Sequence, residues 1–187
     1  MKTASLLLVV VTCTVIAGCK KKGNDNDIKN IGTYYFKYNL SGYNYLYNSQ
    51  VIQPNNNGYN MLGGYVADTA LKNYGGVSFS FGNDSASSSS IISLAGKTFN
   101  FNPNVYPQMY IDIITPVSHD ENTTTNDTTY SATVDSVTYL GYNSTLGFDL
   151  YAIKGVFKVK LSDINSSNTI GDATNGSFNI QCTVNHF

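Results

Sequence analysis

Apolar and polar residues alternate with a period of two along most of this chain, the signature of strands with one buried face. "SFNIQCTV" sets Phe178, Ile180, Cys182 and Val184 on one side and Ser177, Asn179, Gln181 and Thr183 on the other. "YAIKGVFKVKL" aligns Tyr151, Ile153, Gly155, Phe157, Val159 and Leu161, and sends Lys154, Lys158 and Lys160 to water. "VSFSF" opposes Val77, Phe79 and Phe81 to Ser78 and Ser80, and "TFNFN" opposes Phe99 and Phe101 to Asn100 and Asn102. "QMYIDII" and "YSATVDSVTYL" are further strand candidates. One short helix is expected in "DTALKNYGG", capped by Asp68 or Thr69 and stopped by Gly75.

In "YYFKYNLSGYNYLYN" a two-residue turn at Ser41-Gly42 pairs Leu40 with Tyr43, Tyr38 with Tyr45 and Phe36 with Tyr47. Those six residues then share one face and are expected to point inward, against Lys37, Asn39, Asn44 and Leu46 on the other. "PNNNGY" is a second turn signal, and "GNDSASSSS" and "SHDENTTTNDTT" read as long polar loops. Many alternating strands without room for crossover helices predict an all-β fold. The expectation is an antiparallel β-sandwich or partly closed barrel of about eight or more short strands, each sheet with one wet face.

The first residues break this pattern. "MKTASLLLVVVTCTVIAGC" has a lone Lys2, an apolar run from Leu6 to Ile16, and the small residues Ala17 and Gly18 before Cys19. A dozen or so apolar residues fall short of the roughly 20 that span a bilayer, and the layout is that of a secretory signal peptide. "IAGC" resembles the lipobox of bacterial lipoproteins. The resemblance implies cleavage between Gly18 and Cys19 and acyl chains on the Cys19 sulfur and amine. Residues 1–18 are then a signal peptide, residues 19–32 a lipidated cysteine and tether, and residues 33–187 a single all-β domain. Lys20, Lys21 and Lys22 would sit among lipid headgroups. The expected partner is the membrane itself, reached through Cys19, and the expected place is the bacterial cell envelope at the outer membrane, on either its periplasmic or its surface face.

Composition narrows the rest. The formal net charge is −1, or −2 without Lys2, so no overall basic field draws nucleic acid. Arginine and tryptophan are absent, Glu121 is the only glutamate, and asparagine and tyrosine abound. Either A/T-rich codons or selection for a tyrosine- and asparagine-lined surface accounts for that. With Cys13 cleaved away and Cys19 acylated, Cys182 stands alone; no intramolecular disulfide is expected, and its place on an apolar face makes it a small core residue.

The order of "YFKYNLSGYNY", "LAGKTFNF", "IKGVFKVKL" and "TNGSFNI" after the lipobox resembles small Bacteroidetes lipoprotein domains of unknown function. Those close on a Gly-Thr-Phe-like strand followed by a Gly-Ser-Phe-like one. Here the first reads Gly155-Val156-Phe157, a departure at its middle position, and the second reads Gly176-Ser177-Phe178. The resemblance implies an all-β envelope domain and carries no catalytic residue.

Candidate chemistry is sparse. His119, Asp120 and Glu121 are neighbours in sequence, so their side chains diverge, and the stretch reads as a solvated loop rather than a metal site. "DINSSNTIGD" lacks the glycine and glutamate of a calcium loop, and no Gly-x-Ser-x-Gly elbow is present. His186 lies at the chain end. No catalytic residue, metal or cofactor is expected. The functional expectation is a non-catalytic lipoprotein binding a ligand or partner, a glycan or an envelope protein, through loops at one end. The alternative is an accessory subunit of an envelope or appendage complex. An exposed aromatic groove would favour the first and an exposed apolar strand edge the second. Cys19→Ala is expected to abolish incorporation of an alkyne-tagged fatty acid and to move the protein out of the detergent phase; label retained by the variant would refute the lipobox.

Overall fold

The computed structural model describes residues 34–48, 52–55, 60–68, 73–115, 118–122 and 128–185. Gly18, Cys19, the tether, the turn at residues 56–59 and His186 lie outside them. The described strands are β1 (Tyr35–Leu40), β2 (Tyr43–Tyr47), β3 (Ile52–Asn55), β4 (Met61–Asp68), β5 (Asn73–Ser80), β6 (Thr98–Phe99) and β7 (Gln108–Ile114). They continue with β8 (His119–Asn122), β9 (Ser131–Asn143), β10 (Phe148–Asp163) and β11 (Thr169–Asn185), and one short helix, α1 (Ser88–Ile92), sits between β5 and β6. All pairings are antiparallel, in the order β2-β1-β11-β10-β8-β7-β5-β4-β3. One edge of β10 is shared: β9 pairs Phe148 to Lys158, and β8 takes over at Leu161 to Asp163. The sheet curls until β4 lies against β11, nearly closing a barrel. The last three strands, of 13, 16 and 17 residues, are far longer than the expected short ones.

The expected inward faces of β5, β10 and β11 are buried: Val77, Phe79, Ile153, Phe157, Val159, Leu161, Phe178, Ile180, Cys182 and Val184. Burial also pushes the Cys182 thiol pKa well up. The structural reason for the two Gly-x-Phe stretches lies in the β10–β11 register, where Gly155 faces Phe178 and Phe157 faces Gly176. Directly opposed residues share a face. Each ring therefore lies over the partner strand's glycine, so closely that a Cβ on Gly176 would come within 2.4 Å of the Phe157 ring. A Cβ on Gly155 would come within 2.5 Å of Phe178 and 2.2 Å of the Thr133 carbonyl. Val156, at the departing position, points outward and is exposed. From this clasp an aromatic column runs to the hairpin: Phe178 to Phe157 at 6.5 Å, Phe157 to Phe36 at 5.2 Å, and Phe36 to Tyr47 at 6.2 Å between ring centroids. Gly75 of β5 abuts Phe36 and Tyr47, and Gly64 of β4 lets the Gln181 carbonyl approach.

The β1–β2 register is the expected one, with Ser41 and Gly42 at φ 53° and 84° as a type I′ turn requires. Phe36, Tyr38 and Tyr47 are buried, and the Tyr38 and Tyr47 hydroxyls meet at 3.2 Å. The inward expectation does not extend to the tip. Tyr43 is 72% exposed and Tyr45 38% exposed, Tyr45 resting one ring face on Tyr38 with centroids 4.8 Å apart. Cover from β5 reaches Tyr47 and thins toward the turn.

Four other expectations are corrected. "DTALKNYGG" holds no helix among its described residues: Asp68 ends β4, Asn73 opens β5, and the two pair across a hairpin. "GNDSASSSS" is not wholly loop, because Ser87 caps α1 by accepting the Ser90 N–H, and Ile91 and Leu94 enter the core. "SHDEN" contains β8, which fills the gap between β7 and β10 and buries Asp120 and Asn122. Nor is every outer position wet, since Ser78, Asp112, Asn179 and Thr183 are buried.

The clasp makes a testable pair. Gly176→Ala should overpack the Phe157 ring and cost about 1–3 kcal/mol, lowering Tm by about 2–4 °C per kcal/mol. Phe157→Leu vacates that space, so in the double variant thermal melts should show coupling of at least about 0.5 kcal/mol. Strictly additive losses would refute the contact.

Candidate functional site

The connection from β6 to β7 builds a concave site at one end of the sheet. Phe99, Phe101 and Met109 are buried beneath it, with Phe101 at a positive φ of 53° where the chain leaves β6. Asn102 shapes the loop: its Oδ1 accepts the Asn104 N–H at 2.9 Å, and its carbonyl accepts the Val105 N–H at 3.3 Å. Gln108 closes the loop by donating its Nε2 to the Pro103 carbonyl while its Oε1 accepts the Tyr110 hydroxyl. Tyr106 is 55% exposed. Behind it lies Gly82, and a Cβ there would sit 3.1–3.2 Å from three atoms of the Tyr106 ring. Gly82 is fixed in turn by Asn60, whose Nδ2 donates to its carbonyl at 2.7 Å. The ring is thus supported on one side and open on the other. The cavity before it measures about 330 Å³, rimmed by Lys97, Asn100, Asn102 and Gln108. An apolar floor, an aromatic plate and a rim of amides with one ammonium suit binding more than proton transfer.

The residues singled out by sequence are dispersed. On β8, Asp120 lies opposite Ile113 and turns inward, whereas Glu121 lies opposite Asp112 and turns outward. Asn122 accepts the Ile111 N–H, which ties β8 to β7. Asp112 is 4% exposed, and its Oδ2 accepts the Tyr65 and Ser78 hydroxyls, each at 3.2 Å, joining β4, β5 and β7. Tyr110 beside it has a raised pKa, first through burial and then through Glu121, Tyr106 and Asp112. Asp163 caps the β10–β11 turn: Ser166 Oγ donates to Oδ2 at 2.7 Å and the Asn165 N–H to Oδ1 at 3.0 Å. Those bonds, the Ser166 one foremost, lower its pKa. Among the described residues, no group of three or more His, Cys, Asp or Glu is placed to hold a metal ion.

Sequence reasoning missed the Tyr106 cavity. Its signal is "NPNVYPQ", an aromatic residue inside a Pro/Asn turn with no alternating partner, where a buried strand position is ruled out. Compared with family models, curated proteins and solved structures, the chain matches none.

The tyrosines supply a pH prediction. Burial is the leading cause that raises the pKa of Tyr34, Tyr38 and Tyr110 above 10.0. A group with a raised folded pKa adds stability that is complete below its unfolded value and lost as pH climbs toward the folded one. Stability should therefore fall from about pH 10 upward. Part of the tyrosinate absorbance should appear only together with loss of the β-type circular dichroism; complete tyrosine ionisation in the folded state would overturn the burial argument.

Proposed function

We propose that this chain is a non-catalytic, lipid-anchored cell-envelope protein whose β-domain binds a small polar ligand, a saccharide by its chemistry, in the Tyr106 cavity. The observation that carries the reading is the Tyr106 ring, seated on Gly82 and open in front, above an apolar floor and within a rim of amides. A sugar ring offers a C–H face to stack on the aromatic plate and hydroxyls for Asn100, Asn102 and Gln108. A cavity of about 330 Å³ is at the small end of ligand pockets, which suits a short saccharide. "IAGC" supports the anchor on Cys19, and the resemblance to Bacteroidetes lipoprotein domains supports the outer membrane as its place.

A second reading, an accessory subunit docking on an envelope complex, is favoured by a different observation. β2 is an outermost strand of the sheet, carries no charge, and exposes Tyr43, Tyr45 and Leu46. An uncharged edge of that kind is a template for a partner strand.

The two readings part in one experiment. A panel of neutral oligosaccharides at concentrations well above Kd should raise the Tm of the wild type and leave Tyr106→Ala unshifted, although that exposed substitution should itself cost little stability. No shift with any saccharide, together with in-cell cross-links from a photoreactive residue at Leu46 to a membrane complex, would replace the first reading by the second.

A further inference from the structure

We infer that the outer face formed by β1, β11 and β10 docks on an anionic lipid surface. Of the five lysines among the described residues, four stand on it: Lys37 on β1 and Lys154, Lys158 and Lys160 on β10. The register brings them together. Lys37 lies opposite Ser177, which lies opposite Val156; Lys154 lies opposite Asn179, which lies opposite Tyr35. The core residues alternate with these positions on both strands, so all four ammonium groups leave the sheet on the same side.

Aromatic rings hold three of them in place. The Lys158 and Lys160 Nζ atoms lie 5.7 and 5.5 Å from the Tyr130 ring centroid, and Lys37 lies 5.6 Å from that of Tyr35. Such contacts keep the charges raised and ordered. Exposed Val156 occupies the centre, beside a depression of about 700 Å³ edged by Lys37, Lys158, Thr133 and Asn175. Asp135, Asp172 and Glu121, the last set opposite Ser162 beside Lys160, oppose the lysines; four against three leaves an excess of one positive charge in a chain whose formal total is −1. Asp112 and Asp120 are buried on β7 and β8, and Glu121 stands at the far margin beside Lys160, so the positive charge is concentrated around Lys37, Lys154 and Lys158, where the face favours anions.

Charge complementarity fits several polyanions; chain geometry selects the lipid. The first described strand enters on this face at Tyr35, 16 positions after Cys19. Even fully extended, that length reaches about 50 Å. An acylated Cys19, as proposed above, therefore keeps the domain within about 50 Å of the headgroups, and a face that meets them gains about fivefold in attachment per lysine.

The test uses the mature full-length protein reconstituted into vesicles of phosphatidylcholine, with or without phosphatidylglycerol. Each lysine's reactivity toward an amine-specific reagent is read by mass spectrometry. Lys37, Lys154, Lys158 and Lys160 should be protected only on the phosphatidylglycerol vesicles and deprotected by added salt. Lys97, off this face at the rim of the Tyr106 cavity, should react alike on both. Full-length Cys19→Ala, added from outside, should bind phosphatidylglycerol vesicles with the same lysine protection. This separates failure of the face from failure of the anchor, which fatty-acid labelling reads independently. In that background K37Q/K154Q, which spares the Tyr130 contacts, should weaken binding about 25-fold, with an unchanged melt confirming the fold. Equal reactivity of all five lysines on both vesicles, or protection by a soluble anionic polysaccharide but not by vesicles, would overturn the inference.

Discussion

The contact on which the structure rests is the reciprocal placement of two phenylalanines over two glycines on β10 and β11. These strands form the longest pairing among the described residues; the β1–β2 hairpin joins the free edge of β11, and β4 packs against β11 from the facing wing. Because Phe157 covers Gly176 and Phe178 covers Gly155, the rings lie low against the sheet instead of standing on it. That leaves room for Phe36 and Tyr47 to stack onward, and for Gly75 and Gly64 to bring β5 and β4 into contact. A side chain at either clasp glycine would lift a ring and open the curl. Fully burying a phenylalanine is worth about 1.5–3 kcal/mol, so the column is a large share of what holds two wings of one sheet together.

What the sequence made legible follows from where one local rule acted alone. The hairpin register was readable because Ser41-Gly42 adopts the turn its strands need, and the inner faces of β5, β10 and β11 because one side of each packs on the core. β8 was hidden, since "HDEN" has no strand propensity; its conformation is imposed by the backbone groups of β7 and β10 that it satisfies. α1 was hidden for a related reason: its serines favour caps and turns, and its apolar anchorage is just Ile91 and the following Leu94, buried from one side. Tyr43 and Tyr45 obey the right alternation yet stay wet, because alternation fixes the side a residue takes and not whether anything lies above it. The Tyr106 cavity depends on Gly82, 24 positions earlier in the chain, and no window of sequence joins the two.

The polar chemistry is used mainly as ligature. Asp112 joins three strands, Asp163 shapes a turn, and Asp149 accepts from Tyr139 and Ser88, linking β9 and α1 to β10. Carboxylates engaged in this way fix geometry. The groups at the surface that face outward are instead the amides rimming the Tyr106 cavity and the ammoniums of β10. Both are suited to recognition, the first by direction and the second by charge.

Cys182 has a consequence of its own. It sits at zero exposure near the end of β11, walled in by the same strands the clasp unites, with its thiol pKa pushed up by burial. Thiolate chemistry needs both access and ionisation, and the folded domain denies it both. Alkylation of this sulfur therefore has to wait for the sheet to part. When reclosing outruns modification, the reaction rate divided by that of a free thiol is the opening equilibrium constant of the central strands. The protein carries within its core a chemical clock for its own unfolding.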